Sequence, residues 1–216
     1  MEYKEIKSRR YIQDLIEEGE HVCQDFKFEI SDSMKIARTI SAFANNSGGR
    51  LLIGVKDNGK ISGIKSDEEI YMIEQAAAMY CSPPQTVKCT IYRVEGKSVL
   101  KADIDKTDNR PVKAPDNDRK WKAYYRVDDQ NILASPLHVK AWIYERANRD
   151  GALLSLTEGE RKLLELPVTT VEEYMRYAHI SRKAAEDAVV RMNSMGIISL
   201  SYDVSDNNKL LISVKT

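Results

Sequence analysis

Between Arg119 and Arg126 the chain reads Arg-Lys-Trp-Lys-Ala-Tyr-Tyr-Arg, cations interleaved with aromatic rings. That mixture suits two jobs at once: neutralising phosphates and offering faces on which bases stack. In a strand, Arg119, Trp121, Ala123 and Tyr125 fall on one side. Lys120, Lys122, Tyr124 and Arg126 fall on the other, so one face is expected to be mostly basic. Arg110 and Lys113, just upstream, extend the patch. The same run also suits an edge strand guarded against aggregation by lysines, and residue types alone leave both readings open. A second candidate contact is Arg182 with Lys183, in the first turn of an expected helix and outside its apolar stripe of Ala185, Ala188, Val189 and Met192.

Other chemistry is less well supported by the spacing. Gly48-Gly49 follows an expected helix and precedes an expected strand, whereas a phosphate-cradling loop places its glycines before a helix with Gly-Lys-Ser/Thr opening it. Helix termination explains the pair better, and no ATP hydrolysis is expected. Cys23, Cys81 and Cys89 form no Cys-x-x-Cys pair, so neither a disulfide framework nor a structural zinc site is indicated.

The totals constrain the partners. With 33 Lys+Arg against 33 Asp+Glu in 216 residues, the chain has no global basic excess, so any nucleic-acid contact must be a local patch. A 42% hydrophobic and 31% charged composition excludes a disordered chain. No apolar run reaches the roughly 20 residues that span a bilayer. A cytoplasmic protein with no membrane partner is expected.

These residues need elements to position them. Residues 4–17 read as a helix stopped at Gly19. From Val22 to Ile30 the pattern alternates as in a strand, with Gln24 and Phe26 on one face and Asp25 and Lys27 on the other. Ser31-Asp32-Ser33 caps a helix whose stripe is Ile36, Ala37, Ile40, Phe43 and Ala44. A strand over 50–55 leads to an Asp57-Asn58-Gly59 turn and a short strand over 60–64. A helix over 66–80 and a hairpin of 86–94 with 97–104 follow. Residues 105–118 read as a loop, 121–127 as a strand, and 135–148 as a helix with Pro136 in its first turn. The character changes near 150/151. Beyond it come helices over 158–166, 171–178 and 181–195, then strands over 197–204 and 209–214, the order of a winged helix-turn-helix. That stretch carries eight basic against nine acidic residues from Ser155 onward, which tempers a DNA-binding reading.

Gly19-Glu20-x-x-x-x-Asp25-Phe26-Lys27 resembles the Gly-Glu-x-x-x-x-Glu-Phe-Lys motif of the Schlafen-type AlbA domain. Ile40-Ser41-Ala42-Phe43-Ala44-Asn45-Asn46-Ser47-Gly48-Gly49 and Leu52-Ile53-Gly54-Val55-Lys56-Asp57-Asn58-Gly59 are similar to its central signature. Tyr125-Arg126-Val127, with Ala134-Ser135, is similar to its closing segment. Asp25 stands where the family usually has glutamate, and Asp128 where it has glycine. The resemblance implies an α+β, mixed-sheet nucleic-acid-binding domain, which the change of character bounds at 1–150 before the small winged helix over 151–216. The two domains together lead to the expectation of a DNA-binding transcriptional regulator, DNA before RNA, acting as a homo-oligomer. Some members cut RNA with three acidic residues and a metal, which on this chain would be Glu20, Asp25 and Asp57 holding Mg or Mn. Aspartate at 57 is equally explained by turn geometry. A metal-dependent ribonuclease and a protein-interaction adaptor are the alternatives.

Overall fold

In the computed structural model, residues 5–6, 9–147 and 156–215 are described, and the chain divides into two compact units, Met1–Leu133 and Ala134–Thr216. The expected boundary at 150/151 lies outside the described residues.

The first unit opens with a short strand, β1 (Glu5–Ile6), and helix α1 (Arg9–Glu17), where a single helix from residue 4 was expected. Next come β2 (Gln24–Lys27), α2 (Ser33–Asn45), β3 (Gly49–Ile53), α3 (Glu68–Met79), β4 (Val87–Val94) and β5 (Lys97–Ile104). The unit closes with β6 (Lys113–Pro115), β7 (Trp121–Val127) and β8 (Gln130–Leu133). Five strands form one mixed sheet, in the order β1-β4-β5-β3-β2, with β1–β4 and β2–β3 parallel. The stretch expected to be a loop contains β6, which pairs with β7; β8 pairs on the other side, so β7 is the centre of a second, antiparallel sheet and not an edge.

Both faces of the five-stranded sheet are covered. Leu51, Ile53, Leu100 and Ala102 join Ile36, Ile40 and Phe43 of α2 in one core. Leu52, Phe26 and Val99 face the other way, onto Ile12 and Leu15 of α1. This is the strand period of two, and it explains why Leu51-Leu52-Ile53 is apolar without a break. Helix α2 packs on α3 and on β6 and β7 as well as on the sheet, so ten of its residues are buried, Ser33, Thr39, Ser41 and Asn45 among them, and its buried face widens to nearly the whole circumference. Its N-cap is Asp32, whose carboxylate accepts from the backbone N–H groups of Met34 and Lys35. At its far end Gly48 takes φ +76°, and a Cβ on Gly49 would sit 2.5 Å from the Phe43 ring. Both glycines serve the helix-to-strand turn.

The second unit contains α4 (Pro136–Ala147), α5 (Glu158–Leu164), β9 (Val168–Thr169), α6 (Val171–Ala178), α7 (Arg182–Ser194), β10 (Ile198–Asp203) and β11 (Lys209–Val214). Its sheet has the order β10-β11-β9. Leu137 and Ala141 of α4 share a core with Leu163, Tyr174, Val189 and Ile198. Helix α4 is therefore part of this unit, although the expected boundary placed it in the first. Helices α5 and α6 each begin with a full capping box, Thr157 with Glu160 and Thr170 with Glu173. No helix among the described residues is long and apolar enough to cross a membrane.

Candidate functional site

The first two carboxylates picked out by the sequence do come together. Glu20 accepts the Phe26 N–H at 2.9 Å through Oε1. Its carboxyl is pushed up from its ordinary value, first by burial and further by Asp25 beside it, against the opposing pull of the Phe26 N–H and Lys27. Asp25 is committed elsewhere. Its Oδ1 lies 3.0 Å from the Arg126 guanidinium, and both side chains are almost fully buried. The Lys27 ammonium stands 2.5 Å from its other oxygen, Oδ2. Asp57 lies exposed in the turn before Gly59. Among the described residues no group of three or more His, Cys, Asp or Glu side chains is placed to hold a metal. The arrangement does not fit a three-carboxylate magnesium or manganese centre, because one carboxylate is neutralised by two cations of the chain itself.

Arg126 was expected on the basic surface and is instead 1% exposed. It donates to Gln24 O at 3.2 Å and Asn131 Oδ1 at 3.0 Å as well as to Asp25, and its guanidinium lies 5.2 Å from the Phe43 ring centroid. Strand β7 packs on α2, so Tyr124 and Arg126, on one side of the strand, point into the protein. Tyr124 is 7% exposed and offers no ring for stacking. Burial on that side removes both from the candidate interface.

The signature of α2 is structural for the same reason. Asn45 Nδ2 donates to the carbonyls of Val112 (2.8 Å) and Tyr124 (2.9 Å), while its Oδ1 accepts the Val112 N–H at 2.7 Å. Ser41, one turn earlier, donates to Val112 O and accepts the Tyr124 N–H. Asn46 donates to Arg126 O. These side chains supply partners for buried backbone groups of the second sheet and the segment leading to it.

The outer margin of β2 is finished in the same way. Gln24 exchanges backbone bonds with His21. The Phe26 N–H goes to Glu20, and Phe26 O accepts from the Lys27 ammonium at 2.8 Å.

Beyond the packed half of β7 the chain emerges at the β6–β7 hairpin. Asp116 Oδ1 accepts the N–H groups of Asp118 and Lys120, and Arg119 takes φ +60°, which fixes the turn. Arg119, Lys120 and Lys122 are exposed and Trp121 is 47% exposed, while Lys113 is half-buried opposite Ala123. Lys120 has Asp118 at 3.8 Å. Arg110 is half-buried, its guanidinium 3.5 Å from Asn45 O. Trp121 was legible within the run but was not singled out. Its alternation with buried Tyr124 and Arg126 across the strand is the signal that marks it.

In the second unit, Arg182 is exposed and held by two carboxylates, Glu172 at 2.9 Å and Glu186 at 3.1 Å. Glu186 is also paired with Lys140. Lys183 is exposed beside it. His179 caps α6 in the left-handed conformation, φ +54°, and sets the tight turn into α7, whose N-cap is Ser181.

A family profile described as Schlafen, AlbA_2 matches residues 18–135. No curated protein matches the chain. Among solved structures, the DIP2311 protein of Corynebacterium diphtheriae is similar with a TM-score of 0.46 and 18% identity over 78% of this chain. The chain spans 32% of the length of that one. The N-terminal domain of a Nitrosomonas europaea protein, described as related to the ATP-dependent DNA helicase RecG, is similar with a TM-score of 0.42 and 21% identity. That match covers 61% of this chain and 97% of the other.

Proposed function

The chain belongs to the Schlafen, AlbA_2 family, and from that premise we propose that it is a nucleic-acid-binding protein whose first unit meets its ligand at the β6–β7 hairpin. One observation carries the reading: the Trp121 ring is half exposed, and Arg119, Lys120 and Lys122, next to it in the chain, are exposed as well. Phosphates neutralised by the cations would bring bases within reach of the indole face. The turn held by Asp116 fixes the backbone that carries these groups, which lowers the ordering cost at binding.

A narrower role, transcriptional control through DNA, rests on the second unit. We read α5, α6, α7 and the β10–β11 hairpin as a winged helix, with His179 forming the turn of a helix-turn-helix and α7 as the recognition helix. Because Glu172 and Glu186 hold Arg182, Lys183 is the cation this helix offers to a phosphate.

Fluorescence anisotropy with duplex DNA and single-stranded RNA across a salt series tests both levels. Trp121→Ala is expected to weaken single-stranded RNA binding about tenfold, the loss of one stacked base. Lys120→Ala with Lys122→Ala should lower the salt slope on duplex by about 1.8, two phosphate contacts. Lys183→Ala should weaken duplex DNA alone. No binding of either ligand at low salt overturns the proposal.

A further inference from the structure

Phe28 follows β2 directly and is 43% exposed, although its neighbours Gln24, Asp25 and Phe26 are buried. Two ammonium groups reach it from a different part of the chain. Lys56 Nζ lies 5.1 Å and Lys65 Nζ 5.7 Å from the ring centroid. Lys65 also pairs with Glu29. Lys56 is exposed, and no ion pair is found for it among the described residues. A phenyl ring left in water beside two cations costs apolar exposure that burial would remove.

We propose that Phe28, Lys56 and Lys65 form a second contact for single-stranded nucleic acid, with one base stacked on the Phe28 ring and the flanking phosphates on the two lysines. The inference rests on the nucleic-acid reading given above but uses none of its residues. Single strands fit better than duplex because an isolated ring at the surface can stack only on a base whose face is free. The two cations around the ring set the charge of the ligand. Phosphate would take over at Lys65 from Glu29, and the cation–π contacts would give way to ring-on-ring stacking. Stacking is indifferent to sugar and sequence, so single-stranded RNA and DNA are both arms of the test.

The experiment uses the full chain and a labelled single-stranded RNA, the DNA of the same sequence, and its duplex. Phe28→Ala is expected to weaken both single strands about tenfold and to leave duplex affinity unchanged. Phe28→Trp should restore binding, and its added fluorescence, read as the difference from the unsubstituted protein, should be quenched on saturation. Lys56→Ala should lower the single-strand salt slope by about 0.7. Phe28 is exposed, so thermal melts of these variants should match the parent. Unchanged single-strand affinity of Phe28→Ala overturns the inference, as does an equal loss on duplex. If Trp121→Ala still weakens binding in that case, the hairpin reading stands alone. If the unsubstituted chain binds none of the three ligands, both fall.

Discussion

Arg126 shows how one side chain can look functional in sequence and be architectural in space. It sits in a cationic, aromatic run, but it is buried against Asp25, the carbonyl of Gln24 and the Phe43 ring. Replacing it by methionine would leave Asp25 buried with Lys27 as its remaining cation. Removing one partner of a buried pair typically costs about 3–5 kcal/mol, and a loss of about 3 kcal/mol is expected for Arg126→Met in urea denaturation. The double variant Asp25→Asn/Arg126→Met should lose less than the sum of the singles, since the two act as one unit. This pairing was not legible, because its partners are 101 positions apart and neither residue type specifies the other. Trp121 was half legible: the run announced a basic–aromatic surface, and only the packing of β7 on α2 decided which of its members reach solvent.

Among elements, those with strong local instructions were read nearly to the residue. The β4–β5 hairpin follows alternating strands and Glu95-Gly96, both at positive φ. Strand β7 and helix α6 match their expected spans. The strands missed were β1, β6, β8 and β9, two to four residues each. Segments so short carry little periodicity, and β1 and β9 exist because a remote strand supplies their hydrogen bonds. Helix α5 gives a test at this scale. Its capping residue Glu160 is 1% exposed and is gripped by Arg191 of α7. Burial pushes the Glu160 carboxyl up, but Arg191 and the Thr157 cap pull it down further, and it lies below its ordinary value of 4.5. A depressed carboxylate stabilises the fold fully above pH 4.5, and that contribution is lost as pH falls through the folded value. Arg191→Met should therefore cost about 2 kcal/mol at pH 7 by chemical denaturation, less than a fully buried pair because Arg191 is partly solvated. Stability of that variant should fall less steeply below pH 4.5 than that of the unsubstituted chain.

For the whole molecule, the formal charge of zero at pH 7 means that no net charge draws a polyanion, so the proposed binding would have to rest on local patches such as the hairpin tip. The same neutrality predicts a solubility minimum near pH 7 in low salt, measurable by polyethylene-glycol precipitation; a minimum shifted well to either side would show that the ionised groups are not balanced in the folded chain. The treatment of β2 matters at this scale too. It is the last strand of the five-stranded sheet, and a bare last strand is a template for another chain. Here the outward N–H and C=O groups of Gln24 and Phe26 already have partners in His21, Glu20, Arg126 and Lys27. A sixth strand would have to displace all of them, so strand addition along β2, whether by a peptide, a second copy or a fibril, is opposed by bonds the chain has already made.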